Sequence, residues 1–177
     1  LNRRWAPELY LDIVPICGSF EKPVVGGAGV PIEYAVKMLQ FPQAAQLDAQ
    51  LDAGLLVDAD MIELAEMIAA HHGMAAVIEQ RDAKDAIEAI RHPMLENIKH
   101  LKSHVSRNEL QGLSSWTEKN LQVLQTTLIQ RQKEGFIREC HGDLHLANTT
   151  LLDNQVRLFD CIEFNLEFRW IDTICDL

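Results

Sequence analysis

The stretch that decides the reading is His141-Gly-Asp143-Leu-His145-Leu-Ala-Asn148, continued by Thr149-Thr-Leu-Leu-Asp153-Asn154-Gln-Val-Arg-Leu-Phe159-Asp160. It is a polar loop, a short apolar run, a turn and a second apolar run ending in a carboxylate. Thr149 to Leu152 and Val156 to Phe159 have strand composition, and Asp153-Asn154 between them is a two-residue turn signal. A tight hairpin there folds Asp160 back beside Asn148 and Asp143. Two carboxylates and an amide at one mouth are hard oxygen donors, the kind that suit Mg²⁺.

Asp143 and Asn148 are five residues apart, as the Asp and Asn of a kinase catalytic loop are, and Asp160 stands where the metal-binding Asp of the following strand belongs. With His-Gly-Asp in place of His-Arg-Asp, the stretch resembles the aminoglycoside phosphotransferase and choline kinase branch of the protein-kinase-like fold. The longer run from Glu139 to Asn165 resembles a bacterial subfamily of unassigned substrate, some of whose members are fused to a P-loop ATPase domain. The motif resemblance is strong over 137–177 and looser over 1–72.

The resemblance implies an α+β, protein-kinase-like fold, with residues 1–41 a remnant of the small lobe and hinge and residues 42–177 an incomplete large lobe. It implies an enzyme using ATP and Mg²⁺ to phosphorylate a hydroxyl of a small molecule. Asp143 would be the catalytic base, His141 a brace for its loop, and Asn148 and Asp160 the metal ligands. Met38, Leu39, Gln40 and Phe41 would form the linker facing the adenine. His145 and Asp176 would support the loop, Asp176 by accepting hydrogen bonds from its backbone. The region 80–135 is where such enzymes recognise their acceptors, although none of its residues names one.

One feature invites a different alignment. Gly26-Gly27-Ala-Gly29 followed by Lys37 imitates a phosphate-binding loop and its lysine. Eight residues are too few for two strands and a turn, so Lys37 reads as an exposed strand lysine, with the phosphate lysine upstream. The chain opens on Leu1 and ends at Asp176-Leu177 in mid-pattern, so it reads as a fragment whose isolated activity is in doubt.

Two other function classes compete. His141-x-Asp143-x-His145 with Cys140 could hold a transition metal for a hydrolase, since alternate strand residues point one way. No second histidine cluster follows, and Asn148 and Asp160 would then be coincidences. A non-catalytic kinase-like module is the third class, and the complete Asp143, Asn148 and Asp160 set argues against it.

Bulk properties narrow the partners. At 177 residues and 47% hydrophobic content the chain can bury a core. Its net charge of −10 argues against nucleic acid and suits a cationic acceptor, for which Glu163 and Glu167 are candidates, though a solvated surface is the plainer role. No apolar run approaches the ~18–20 residues of a membrane span and no signal peptide opens the chain, which points to the cytoplasm. The cysteines Cys17, Cys140, Cys161 and Cys175 form no C-x-x-C pair and read as reduced thiols.

Elsewhere the pattern predicts a helix end before Pro7, a strand over Tyr10–Cys17, a loop from Gly18 to Pro31 and a returning strand over Ile32–Leu39. It predicts a short helix between Gln43 and Leu56, breaking near Gly54. A second helix follows, with capping-box spacing at Asp60 and Glu63, running to about Glu79 and carrying His71 and His72. Adjacent helical positions point about 100° apart, so these two histidines are poor joint metal ligands and read as packing or hydrogen-bonding groups. Pro93 predicts a break before a helix over Met94–His104. Ser115 and Glu118 predict the capping box of a helix to Glu134, with Gly135 ending it. A strand over Phe136–Cys140 then leads into the decisive loop.

Overall fold

A computed structural model describes residues 1–78 and 83–177. The fold is mixed α+β, and the chain divides into two compact units: residues 1–73 with 141–164, and residues 74–140 with 165–177.

The first unit contains a three-stranded antiparallel sheet of β1 (Tyr10–Ser19), β2 (Lys22–Val25) and β3 (Glu33–Met38), with β1 central. The expected Gly18–Pro31 loop therefore contains a strand: Lys22–Val25 turns back and pairs with Ser19–Ile16. Short strands next to glycines and Pro23 escape pattern reading because four residues show too little alternation. Lys37 lies exposed on β3, opposite Asp12 of β1, as a strand lysine.

A short helix, α1 (Leu47–Asp52), stops before Gly54, and α2 (Asp58–Met74) follows. The expected cap at Asp60 moves upstream, because Asp60 already sits in the first turn and its Oδ2 accepts the N–H of Val57 at 3.1 Å. Glu63 looks elsewhere, accepting the N–H of Val156. The helix ends at Met74, and position 79, where its end is expected, lies outside the described residues, as do 80–82 at the head of the 80–135 region. The hairpin appears as read: β5 (Thr149–Leu152) pairs with β6 (Gln155–Leu158) across Asp153-Asn154. Both turn residues have positive φ, 52° and 58°, the type I′ pattern that matches strand twist.

The core of this unit is a cluster of Trp5, Leu47, Leu64, Ile68, Val156, Leu158 and Cys161, with a second cluster of Ala6, Leu9, Tyr10 and Phe159. Each fully buried leucine, such as Leu9, Leu47 or Leu158, contributes about 1.5–3 kcal/mol. Both hairpin strands thus stand on residues from the first seventy positions, which fixes the loop that feeds them.

The second unit contains α3 (Ala83–His100), packed against α4 (Arg107–Lys133), and a small ladder of β4 (Ile137–Glu139) with β7 (Trp170–Asp172). Two expectations fail here. Pro93 does not end a helix but lies inside α3, where tertiary packing against α4 outweighs the lost hydrogen bond. The capping box is Ser106 with Glu109, nine residues before the expected one, and α4 is correspondingly longer. Ser115 and Glu118 have the right types but sit mid-helix, where the backbone donors are already paired. Gly135, at φ 78°, is the residue that ends α4, as read. Among the described residues no helix is long and apolar enough to cross a membrane.

Candidate functional site

The loop 141–148 is held from within. Gly142 adopts φ 85°, a conformation that side chains resist, so glycine has a physical reason to stand between His141 and Asp143. His141 is fully buried. Its Nε2 faces the carbonyl oxygen of Phe159 at 2.9 Å, and its Nδ1 accepts the N–H of Asp143 at 3.4 Å. Those two partners require the hydrogen on Nε2 and the lone pair on Nδ1. One imidazole thereby links the strand before Asp160 to the backbone of Asp143.

Asp143 itself is open to solvent, and Asn148 is buried beside it. The Nδ2 of Asn148 donates to the carbonyl oxygen of Asp143 at 2.9 Å and to its carboxylate Oδ2 at 3.2 Å. With the nitrogen committed, the Oδ1 of Asn148 is left as an oxygen donor. His145 lies 3.8 Å from Asp143 Oδ2 and is half exposed. The loop closes in a short turn, where Asn148 N–H and Thr149 Oγ1 both donate to the carbonyl of His145. Gln46 Nε2 donates to Ala147 O and Thr150 Oγ1 to Ala45 O, fastening the loop to the start of α1.

The hairpin register brings Asp160 to this place. Thr149 pairs with Leu158, and the N–H of Phe159 donates to Asn148 O at 3.0 Å, so Asp160 follows the rung occupied by Asn148. Asp160 has φ 62°, is exposed, and its carboxylate takes no hydrogen bond or ion pair among the described residues. A non-glycine residue in that region is held by its surroundings. Two tethers hold it: Asp160 N–H donates to the Tyr10 hydroxyl at 2.8 Å, and Cys161 N–H to Asn2 Oδ1 at 2.7 Å. Burial, with the Asp160 carboxylate nearby, pushes the Tyr10 phenol up to about 12, so it stays a neutral hydrogen-bonding group. Asn2 and Tyr10 were not legible as site residues, since 150 or more positions separate them from what they hold.

The remaining expected residues divide. Leu39 donates its N–H to Leu9 O at 2.8 Å, so that group serves the fold rather than a ligand. Met38, Leu39 and Gln40 are exposed, while Phe41 packs edge-on against Phe159 at 5.1 Å between ring centres. Asp176 is buried in the second unit and borders Cys140; burial first, then the Asp176 carboxylate, push the Cys140 thiol up to about 12. Glu163 accepts the N–H of Asn2 at 2.9 Å, which ties it to the fold.

No family model matches the chain, and no solved structure matches it. Uncharacterized proteins of Mycobacterium bovis and of two strains of Mycobacterium tuberculosis are each 28% identical to it over 180 residues. The match covers 99% of this chain and 34% of each relative, so the chain spans about a third of the length of the curated relatives it matches.

Proposed function

We propose that this chain carries the catalytic loop and metal-holding residues of an ATP-dependent phosphotransferase of protein-kinase-like fold that acts on a hydroxyl of a small molecule. The observation that carries the reading is the Asn148 amide. Its nitrogen is bound twice to Asp143 while its oxygen is left over, one rung from the Asp160 carboxylate, which has no partner among the described residues. An amide oxygen and a carboxylate fit Mg²⁺ better than a softer ion. Mg²⁺, when bound, supplies charge neutralisation at the nucleotide phosphates.

The chain's own residues do the rest. Asp143, oriented by Asn148 and by its N–H bond to His141, accepts the proton of the acceptor hydroxyl. Asn148 and Asp160 would hold the cation. His141 keeps the loop in register with β6, and the α1 contacts stop it from swinging. The activity, its acceptor and any ATPase domain elsewhere in the full-length protein belong to this proposal. So does the cytoplasmic setting.

The hydrolase alternative meets an obstacle in His141, whose nitrogens are already engaged, Nε2 with Phe159 O and Nδ1 with the N–H of Asp143. A non-catalytic module remains distinguishable by experiment, since it would bind Mg·ATP and transfer nothing. The test is phosphoryl transfer from ATP to a panel of small hydroxyl acceptors, cationic ones included, by the full-length protein and its Asp143→Ala variant. The variant should lose about 10²–10⁴ in rate, the usual worth of a positioned base. Undiminished transfer would remove Asp143 from the mechanism.

A further inference from the structure

Trp5 is a core residue with an unusual setting. Its indole is stacked on the His71 imidazole, ring centres 4.3 Å apart and planes 13° from parallel. The same indole meets the His141 ring edge-on, at 5.2 Å and 69°. Both His71 nitrogens face carbonyl oxygens, Nδ1 2.9 Å from Met67 O, one turn back on α2, and Nε2 3.2 Å from Arg4 O, the residue before Trp5, and whichever nitrogen carries the hydrogen anchors the ring. The His71 ring cannot turn without breaking one of those contacts. The indole cannot slide without leaving it.

The chain of contacts thus runs from α2 through His71 and Trp5 to the one imidazole that bridges Asp143 and Phe159. A histidine ring turned over by 180° about χ2 exchanges the positions of its nitrogens and carbons. His141 turned in that way would lose both the Asp143 N–H and the Phe159 carbonyl. Trp5 is the aromatic wall against which such a turn would have to occur.

Trp5 is also not optimised for packing alone. Its Nε1 is the buried side-chain polar atom that has no hydrogen-bond partner among the described residues. Burying an indole N–H unpaired opposes stability, and a phenyl ring would fill a core without that cost.

We infer that Trp5, backed by His71, is a positioning element for the catalytic loop, fixing the ring orientation and the Nε2–H tautomer of His141 and through it the placement of Asp143. The inference rests on the loop being catalytic only for its effect on rate. The tautomer itself is read without any activity. Neither Trp5 nor His71 touches a reacting atom in this account.

The test is nitrogen-15 NMR of the histidine rings at neutral pH, comparing the parent with Trp5→Phe, Trp5→Leu and His71→Leu. The parent should show His141 as a single Nε2–H tautomer, and Trp5→Phe, which keeps an aromatic wall, should preserve it. Trp5→Leu should show His141 averaging between tautomers. Should Trp5→Leu fail to fold, His71→Leu serves instead, because that partly buried ring can be removed with less loss of core. In the full-length protein His71→Leu should lower phosphoryl transfer about tenfold, a modest fraction of the ~10²-fold that small misplacements can cost, with the KM for ATP little changed. A folded His71→Leu variant that keeps the single tautomer of His141 would overturn the inference. Altered tautomers in a protein that transfers no phosphate would uphold it and count against the phosphotransferase reading instead.

Discussion

Gly142 and Asp160 are the two residues whose backbones say most about the site, at φ 85° and φ 62°. At Gly142 any side chain is strained, so Gly142→Ala should cost about 1–2 kcal/mol and shift Asp143 with it. Thermal unfolding, run alongside the transfer assay, checks this, and unchanged stability would mean that the loop has other conformations. Asp160 tolerates its conformation better than most residues, as aspartate and asparagine do. Asp160→Gly should therefore leave stability within about 1 kcal/mol of the parent, because relief of strain offsets the greater freedom of the unfolded chain. Asp160→Val, β-branched, should cost more. Stability falling equally with glycine and valine would place the role of Asp160 in packing rather than in ligand binding. Neither backbone is legible in the sequence: a glycine type alone does not give its φ, and the two tethers of Asp160 come from Tyr10 and Asn2, which reach it only in the folded chain.

At the scale of elements, the hairpin β5–β6 was the most legible part. Alternation, a two-residue turn and short length all agreed there, and local agreement of that kind is what sequence reading captures. The long helices are less legible: Pro93 suggests a stop where α3 continues, and Ser115 suggests a cap where α4 is already under way from Ser106. Composition does not tell where a helix begins when a later residue offers the same capping types.

The β4–β7 ladder carries an ion pair that pattern alone does not reveal. Arg131 of α4 holds Asp172 through a two-pronged contact, with Nε–Oδ2 and Nη2–Oδ1 both 2.6 Å. Burial would raise the Asp172 carboxyl, but Arg131 and the N–H of Ile174 outweigh it and hold the group below its ordinary value. A carboxyl depressed in the folded state stabilises fully above its unfolded value, about 3.9, and that stability is lost as pH falls through the folded value. Below about pH 4 the parent should therefore lose this contribution. Asp172→Asn should cost about 2–3 kcal/mol at pH 7 and show a flatter acid limb. Chemical denaturation at pH 7 and pH 3 decides it, and parallel curves for parent and variant would remove the pair from the account.

At the scale of the whole molecule, the sequence reading and the structure agree on a mixed α+β chain that contains the loop 141–148 and the hairpin after it. The mixed α+β class was legible from the patterning of the elements, whereas the kinase-like resemblance rests on residue spacing alone and belongs to the proposal. What was not legible is how the first ten residues serve the far end: Asn2, Trp5 and Tyr10 are all buried and each touches the neighbourhood of His141 or Asp160. Contacts of such sequence separation leave no periodic trace in one chain. The central claim is that Asn148 and Asp160 form a Mg²⁺-dependent nucleotide site, and calorimetric titration of the full-length protein with ATP tests it most directly. Binding that requires Mg²⁺ and disappears in Asp160→Asn is the expected result. Binding of ATP that is indifferent to both, or stoichiometric Zn²⁺ uptake without ATP binding, would contradict it.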